Sequence, residues 1–288
     1  MKIITQKLKF IIKSTIKSLK TNEIKAIIGR DRLKFNYDEI ENYVLTIFEH
    51  SLTQKTFKSI YLQKNLKICY ETYMSNILLF SKLFKFLFYK INKFLDIKPS
   101  KLLNIIDSTL IDEKKSNFIT QKDWNINRVT TRIKNKDKVR VCGSKGLVFM
   151  NRFNQVYYAD LININYSDMN ILKDLTQYKS QLKGILLADR GFSNKLVRTR
   201  LSMDKNNVFD YGKAYCKLIS PYRKSEKKHL TKKEIKLYKR RWKIETLFQQ
   251  LKDNYSNNKL NLTGKYNKSL KQAKFYSTLI IHNLLTKG

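Results

Sequence analysis

The hydrophobic period changes at Pro99-Ser100, and that change limits what the chain can fold into. Before it, apolar residues recur at helical spacing, as in Ile40, Tyr43, Val44, Ile47 and Phe48, with polar residues on most positions between. After it come short β-like runs: LLNIIDSTL at 102–110, KVRVC at 138–142, LVFMN and QVYYADLI flanking Arg152-Phe153-Asn154, and GILLAD at 184–189. The residue ahead of a proline is pushed away from helix, which makes this position a joint. Helical segments alternate with the later strands: Ser167-Asp168 reads as the N-cap of a helix reaching about Tyr178, and Ser193 as the cap of another. The pattern predicts a small all-α N-terminal domain over 1–98, followed over 99–288 by an α/β domain whose mixed sheet is flanked by helices. No internal repeat or low-complexity linker is visible.

Charge narrows the partners. Lysine and arginine total 59 against 23 acids, a formal charge of +36, and such a field needs a polyanionic partner or repels itself. Nucleic acid is the leading partner, because neutralising phosphates releases counterions and drives binding. An anionic membrane surface is a second source of such a balance, and drift in an AT-rich genome, which enriches Lys, Asn and Ile, is a third. Lysines interrupt the apolar runs of 1–20 and, at Lys82, Lys85 and Lys90, that of 76–91, so neither reads as a signal peptide or a membrane span. Cys69, Cys142 and Cys216 are far apart and fit a reducing cytosol, while His50, His229 and His282 show no ligand spacing with them.

The stretch YKRRWKIETLFQQLK, 238–252, places one glutamate among tyrosine, arginine and lysine. At about 100° per residue, Tyr238, Arg241, Glu245 and Lys252 fall within an arc of about 60° on a helix, beside an apolar face of Leu237, Ile244, Phe248 and Leu251. An ordinary amphipathic helix with Arg241 and Glu245 as an i,i+4 pair explains that much. Two aspartates change the balance. Asp107, in NIIDSTL, sits in an apolar strand, and Asp189, in LLADRGF, ends another and precedes a turn with Gly191. A buried carboxylate needs a cation or a hydrogen-bond network, and two on neighbouring strands repel unless a cation lies between them. Hard oxygen donors of this kind suit Mg²⁺, and two metals held by three carboxylates suit phosphoryl transfer.

These residues resemble the DDE transposases of bacterial insertion sequences. The resemblance rests on NIIDSTL, LLADRGF and the glutamate helix, whose Tyr-(2)-Arg-(3)-Glu-(6)-Lys spacing is matched by Tyr238, Arg241, Glu245 and Lys252, and it covers roughly 102–285. It implies an RNase H-like core with Asp107 on the first strand, Asp189 after the fourth and Glu245 on a later helix, all three catalytic and meeting around Mg²⁺, for which Mn²⁺ can substitute. Tyr238, Arg241 and Lys252 would grip phosphates of the transposon end, and replacing Arg241 or Lys252 would then weaken binding or cleavage with the fold intact. The implied partners are transposon ends and target DNA, with a homodimer in the synaptic complex, no membrane, and a cytoplasmic, nucleoid-associated location in a bacterium. Only 55 residues separate Asp189 from Glu245, too few for the large β-rich insertion of certain relatives, so the chain looks like a compact branch.

Further DNA contacts are expected from RVTTRIKNKDKVR, 128–140, with Trp124 as a stacking surface, and from the N-terminal helices around TQKTFKSIY, 53–61. A solvated charged loop, a core tryptophan and plain helical packing are the competing explanations. Gly143-Ser-Lys-Gly146 lacks the spacing of a phosphate-binding loop and reads as a turn. Two rival functions remain: a degenerate, non-catalytic DNA-binding relative of a transposase, and a membrane-active basic amphipathic protein.

Overall fold

The computed structural model describes residues 2–29, 36–53, 55–112, 128–132, 138–163, 166–173, 184–192, 216–222, 228–256 and 267–287. Trp124, Tyr178, Ser193 and residues 133–137, all named above, lie outside the described residues. The described residues group into two compact units, one running to Asp96 and resuming at Gln250, the other spanning Ile97 to Gln249.

The first unit is helical. It contains α1 (Lys2–Lys17), α2 (Thr21–Ile28), α3 (Tyr37–Thr53), α4 (Phe57–Lys64), α5 (Tyr70–Ser81) and α6 (Phe84–Phe94). The long C-terminal helix α10 (Asn267–Lys287) packs against α1, α3, α5 and α6. Its apolar face is long enough to fill the space between them: Phe275, Tyr276, Leu279 and Ile280 are fully buried, as are Ile47, Phe84, Leu87, Phe88 and Ile91. The rings of Phe88 and Tyr276 meet at 5.5 Å, and buried polar pairs fix the register, Ser51 Oγ with Ser277 Oγ at 2.7 Å and Asn283 Nδ2 donating to Asn92 Oδ1 at 2.8 Å. Among the described residues no helix is long and apolar enough to cross a membrane.

Among the described residues, the second unit is built on a six-stranded mixed sheet. The strands are β1 (Leu103–Asp112), β2 (Arg128–Arg132), β3 (Lys138–Asn151), β4 (Val156–Asn163), β5 (Gly184–Ala188) and β6 (Cys216–Ile219). β1 pairs antiparallel with β3 and parallel with β5, β5 pairs parallel with β6, and β3 carries β4 on its other side and β2 at its N-terminal end. The α/β class with a mixed sheet is as expected. KVRVC and LVFMN are one strand, however, and Gly143-Ser-Lys-Gly146 is its middle: Gly143 pairs with Asp112 and Gly146 with Thr109. The ladder from β1 supplies partners to that stretch, which outweighs the local turn preference of glycine.

Two local features place β1 beside β5. Gly184 opens β5 with φ +58°, and a methyl group there would run into the Lys101 carbonyl, while Ile185 N donates to Leu102 O at 3.0 Å. Only glycine tolerates both that backbone angle and that approach. Helices follow the strands: α7 (Asp168–Lys173) after β4, then α8 (Lys232–Tyr238) and α9 (Trp242–Ser256) after β6. Ser167 caps α7 as expected, its Oγ accepting from Asn170 N at 3.3 Å.

Two buried bases make the helical unit sensitive to pH. Burial, with Lys274 nearby, lowers His50 from 6.5 to about 4, and its Nδ1 pairs with the Lys55 carbonyl. Burial, aided by Lys271, lowers Lys274 from 10.5 to about 7. In both cases the unfolded chain binds the proton more tightly, so the His50 contribution to stability is lost as pH falls from about 6.5 to about 4. The Lys274 contribution falls between 10.5 and about 7. Lys274→Met is therefore expected to stabilise the fold at pH 7 by on the order of 1 kcal/mol, seen as a higher midpoint of thermal unfolding, and to flatten the pH dependence above 7. A lower midpoint in that variant would contradict the assignment.

Candidate active site

Parallel pairing aligns Leu103 with Ile185 and Ile106 with Ala188, so Asp107 on β1 and Asp189, just past the end of β5, take the next positions. Neighbouring strands lie about 4.8 Å apart, which brings two carboxylates together at the C-terminal ends of the parallel pair. That is where open α/β sheets bind ligands. Asp107 lies within β1, 8% exposed. Asp189, half-buried, leaves β5 into a 3₁₀ turn, Arg190–Phe192, where its carbonyl accepts from Phe192 N at 3.1 Å and from Ser220 Oγ at 3.1 Å. It follows the fifth strand in chain order rather than the fourth, because 128–132 forms the additional strand β2.

The glutamate helix approaches from the other side. A capping box starts α8: Thr231 Oγ1 accepts from Glu234 N at 3.3 Å and Glu234 Oε2 accepts from Thr231 N at 3.0 Å. Lys217 on β6 reaches Glu234 Oε1 at 3.1 Å and ties the start of α8 to the sheet edge. The backbone then tightens into a 3₁₀ turn over Lys239–Arg241 before α9 begins at Trp242. The stretch 238–252 is thus not the continuous α-helix expected. Residues i and i+3 eclipse in a 3₁₀ turn, so the Arg241 guanidinium comes over the Tyr238 ring, 5.8 Å from its centroid. Beyond the turn, Ile244, Leu247, Phe248 and Leu251 are buried as the apolar face, with Leu247 an addition to the expected set and Leu237 only half-buried.

Arg241 links the acids. Its Nη1 donates to Asp107 Oδ2 and its Nη2 to Glu245 Oε1, so one guanidinium joins the strand aspartate to the helix glutamate. Burial opposes the charge of Arg241, yet Asp107, Tyr238, Glu245 and Asp189 together raise its pKa. All three expected catalytic acids therefore act on one cationic position. Burial is also the main cause that lifts the Asp107 carboxyl from 3.8 to about 7. Arg241 and the Ser108 N–H, 2.8 Å from Oδ1, pull it down, and Asp189 and Asp168 push it up. Burial raises Tyr238 too, against Arg241 and with Asp189.

Of the remaining expected residues, Lys252 is in α9, but its side chain lies outside the described residues. The expectation that Arg241 can be removed without cost to the fold is revised: it is the counterion of a buried carboxylate, and removing one partner of such a pair destabilises. Sequence reasoning missed Asp168 and Lys145. Asp168 Oδ1 accepts from Ser108 Oγ at 2.7 Å and from Lys145 Nζ at 3.0 Å, at the edge of the same site.

Among the described residues no three of His, Cys, Asp or Glu cluster closely enough to hold one ion. The donor chemistry nevertheless fits a hard divalent cation, since Asp107, Asp189 and Glu245 offer only carboxylate oxygens and all three raise the pKa of one guanidinium.

The titration of Asp107 is checkable in metal-free protein through its carboxyl carbon-13 shift. The midpoint is expected near 7, and higher in Arg241→Gln, because the lowering influence is gone. Between 3.8 and about 7 the folded chain holds a proton that the unfolded chain releases, so this group's contribution to stability falls as pH rises through that window. A wild-type midpoint near 4 would refute the burial argument.

Comparison with known proteins agrees with the geometry. The profile of the family described as Transposase DDE domain matches residues 98–284, which include Asp107, Asp189, Tyr238, Arg241, Glu245 and Lys252. No curated protein matches the chain, and no solved structure does. The match covers well over half of the 288 residues, and the chain belongs to the transposase DDE domain family.

Proposed function

We propose that this transposase is the metal-dependent enzyme of a compact insertion sequence, cutting DNA at the ends of its element and joining those ends to target DNA. The observation that carries the reading is the parallel register that sets Asp107 beside Asp189, with Arg241 joining Asp107 to Glu245. If β2 is set aside as an addition, Asp189 follows the fourth strand, which supports an RNase H-like core. Asp107, Asp189 and Glu245 would hold Mg²⁺, or Mn²⁺ in its place. Divalent cations bound there would neutralise the phosphodiester and lower the pKa of an attacking water or 3′-hydroxyl.

The chain's own residues supply orientation and grip. The Ser108 N–H holds one oxygen of Asp107 and leaves the other to a cation, at present the guanidinium of Arg241. Arg241 and Lys252 would take phosphates of the transposon end, the first by its fork and the second as a point charge, and Tyr238 backs Arg241 with its ring face. The helical unit, including the exposed Lys55 and Lys58 around α4, would add DNA contacts, as would the basic strand β2. Two copies would pair when two ends are synapsed, in the bacterial cytoplasm on nucleoid DNA.

Supercoiled plasmid carrying the flanking element ends, incubated with Mg²⁺, Mn²⁺ or EDTA, tests the reading. Wild type is expected to cleave at the ends only with metal, and Glu245→Gln to lose at least a hundredfold in rate, roughly the loss of a principal electrostatic contributor. Tight binding without cleavage by folded wild type would instead identify a degenerate DNA-binding relative.

Replacement of Arg241 or Lys252 by alanine is expected to weaken end binding and to flatten its salt dependence by about one phosphate contact each. Thermal unfolding followed alongside separates the stability cost of Arg241→Ala from its effect on DNA. Unchanged binding and cleavage in both variants would remove these residues from the DNA-gripping set.

A further inference from the structure

We infer that Asp168 is a positioning residue that braces both site aspartates from outside the set of three acids. This rests on the reading of Asp107 and Asp189 as metal-holding residues.

Three observations converge on the Asp168 carboxylate. Its Oδ1 accepts from Ser108 Oγ at 2.7 Å, and the backbone N–H of the same serine donates to Asp107 Oδ1 at 2.8 Å. Holding the hydroxyl therefore holds the peptide that orients Asp107. Its other oxygen faces the turn after Asp189: a methyl group built on Gly191 would lie 3.0 Å from Asp168 Oδ2, tighter than nearly all real side-chain contacts. Helix α7, which begins at Asp168, packs against that turn, Arg190–Phe192. The third is Lys145 on β3, whose Nζ donates to Asp168 Oδ1 at 3.0 Å and to the Tyr166 carbonyl at 2.8 Å. Lys145 neutralises the acid and ties it to the sheet.

One side chain thus touches Ser108, next to Asp107, and abuts Gly191, two residues after Asp189. Such outer partners of metal-holding carboxylates control how well the ligands are aimed, and losing one typically weakens metal binding tenfold to a hundredfold. Glycine at 191 suits the same arrangement, since a side chain there would press on the Asp168 carboxylate and oblige it to shift by a few tenths of an ångström.

The test is Mn²⁺ binding to the full chain by isothermal titration calorimetry, without DNA or turnover. Wild type is expected to bind and Asp107→Asn to lose binding. Asp168→Ala and Ser108→Ala should each bind at least roughly tenfold more weakly, the double variant no more weakly than Asp168→Ala alone, and Ser108→Thr, which keeps the hydroxyl, should recover wild-type affinity. If thermal unfolding shows Asp168→Ala to be misfolded, the Ser108→Ala and Ser108→Thr pair decides. Affinities of both alanine variants within twofold of wild type, while Asp107→Asn has lost binding, would overturn the bracing role alone. Equal Mn²⁺ binding by wild type and Asp107→Asn would overturn the metal-site reading and this inference together.

Discussion

Asp107 has Asp189 for a neighbour because β1 and β5 run parallel and Ala188, the last residue of β5, pairs with Ile106, and the burial of the Asp107 carboxylate is the constraint to which the second unit answers. Burial disfavours the charged form of such a carboxylate, and a nearby cation favours it. Arg241 supplies positive charge, bonded to Asp107 and Glu245 and within the field of Asp189. Even so, the Asp107 carboxyl is pushed up to about 7, so one arginine does not fully offset its burial. A site with that residual demand for positive charge is suited to divalent metal, and a chain with a formal charge of +36 is suited to bringing a polyanion to it.

Much of the second unit serves to hold this arrangement in register. Gly184 lets β5 start against the Lys101 backbone, and the Asp189 carbonyl is fixed by Ser220 and Phe192. The Thr231–Glu234 capping box and the Lys217–Glu234 pair launch α8 from the edge of the sheet. The 3₁₀ turn over Lys239–Arg241 then places Tyr238 under Arg241 and aims the guanidinium at both acids. Each of these contributions is small, about 1 kcal/mol or less for a cap or an exposed pair.

The residues with the strongest chemical signatures were legible in the sequence. A charged residue inside an apolar run stands out, which is why Asp107 and Asp189 could be singled out before any geometry was known, and in their company the resemblance of the Tyr238–Lys252 spacing to a family motif pointed to Glu245. The change of period near Pro99 marks where the first run of helices gives way to β1. What escaped depends on partners distant in the chain. Asp168 looks like an ordinary helix-start acid until Ser108, 60 residues earlier, is brought to it by the sheet. Gly143–Gly146 looks like a turn until β1 supplies its ladder, and nothing local in α10 announces that it packs among the N-terminal helices. The tightening at Lys239–Arg241 has no local breaker either. It accompanies the turn of the backbone that sets Arg241 over Tyr238 and onto Asp107.

The most direct test of the central claim, that three carboxylates address one cationic position, is anomalous diffraction from crystals of the full chain soaked in Mn²⁺. A peak is expected within coordinating distance of Asp107 and Asp189, with Glu245 reaching the same ion or one next to it, and Arg241 displaced from Asp107. A peak elsewhere on the molecule, or none while the Arg241–Asp107 pair stays closed, would contradict it.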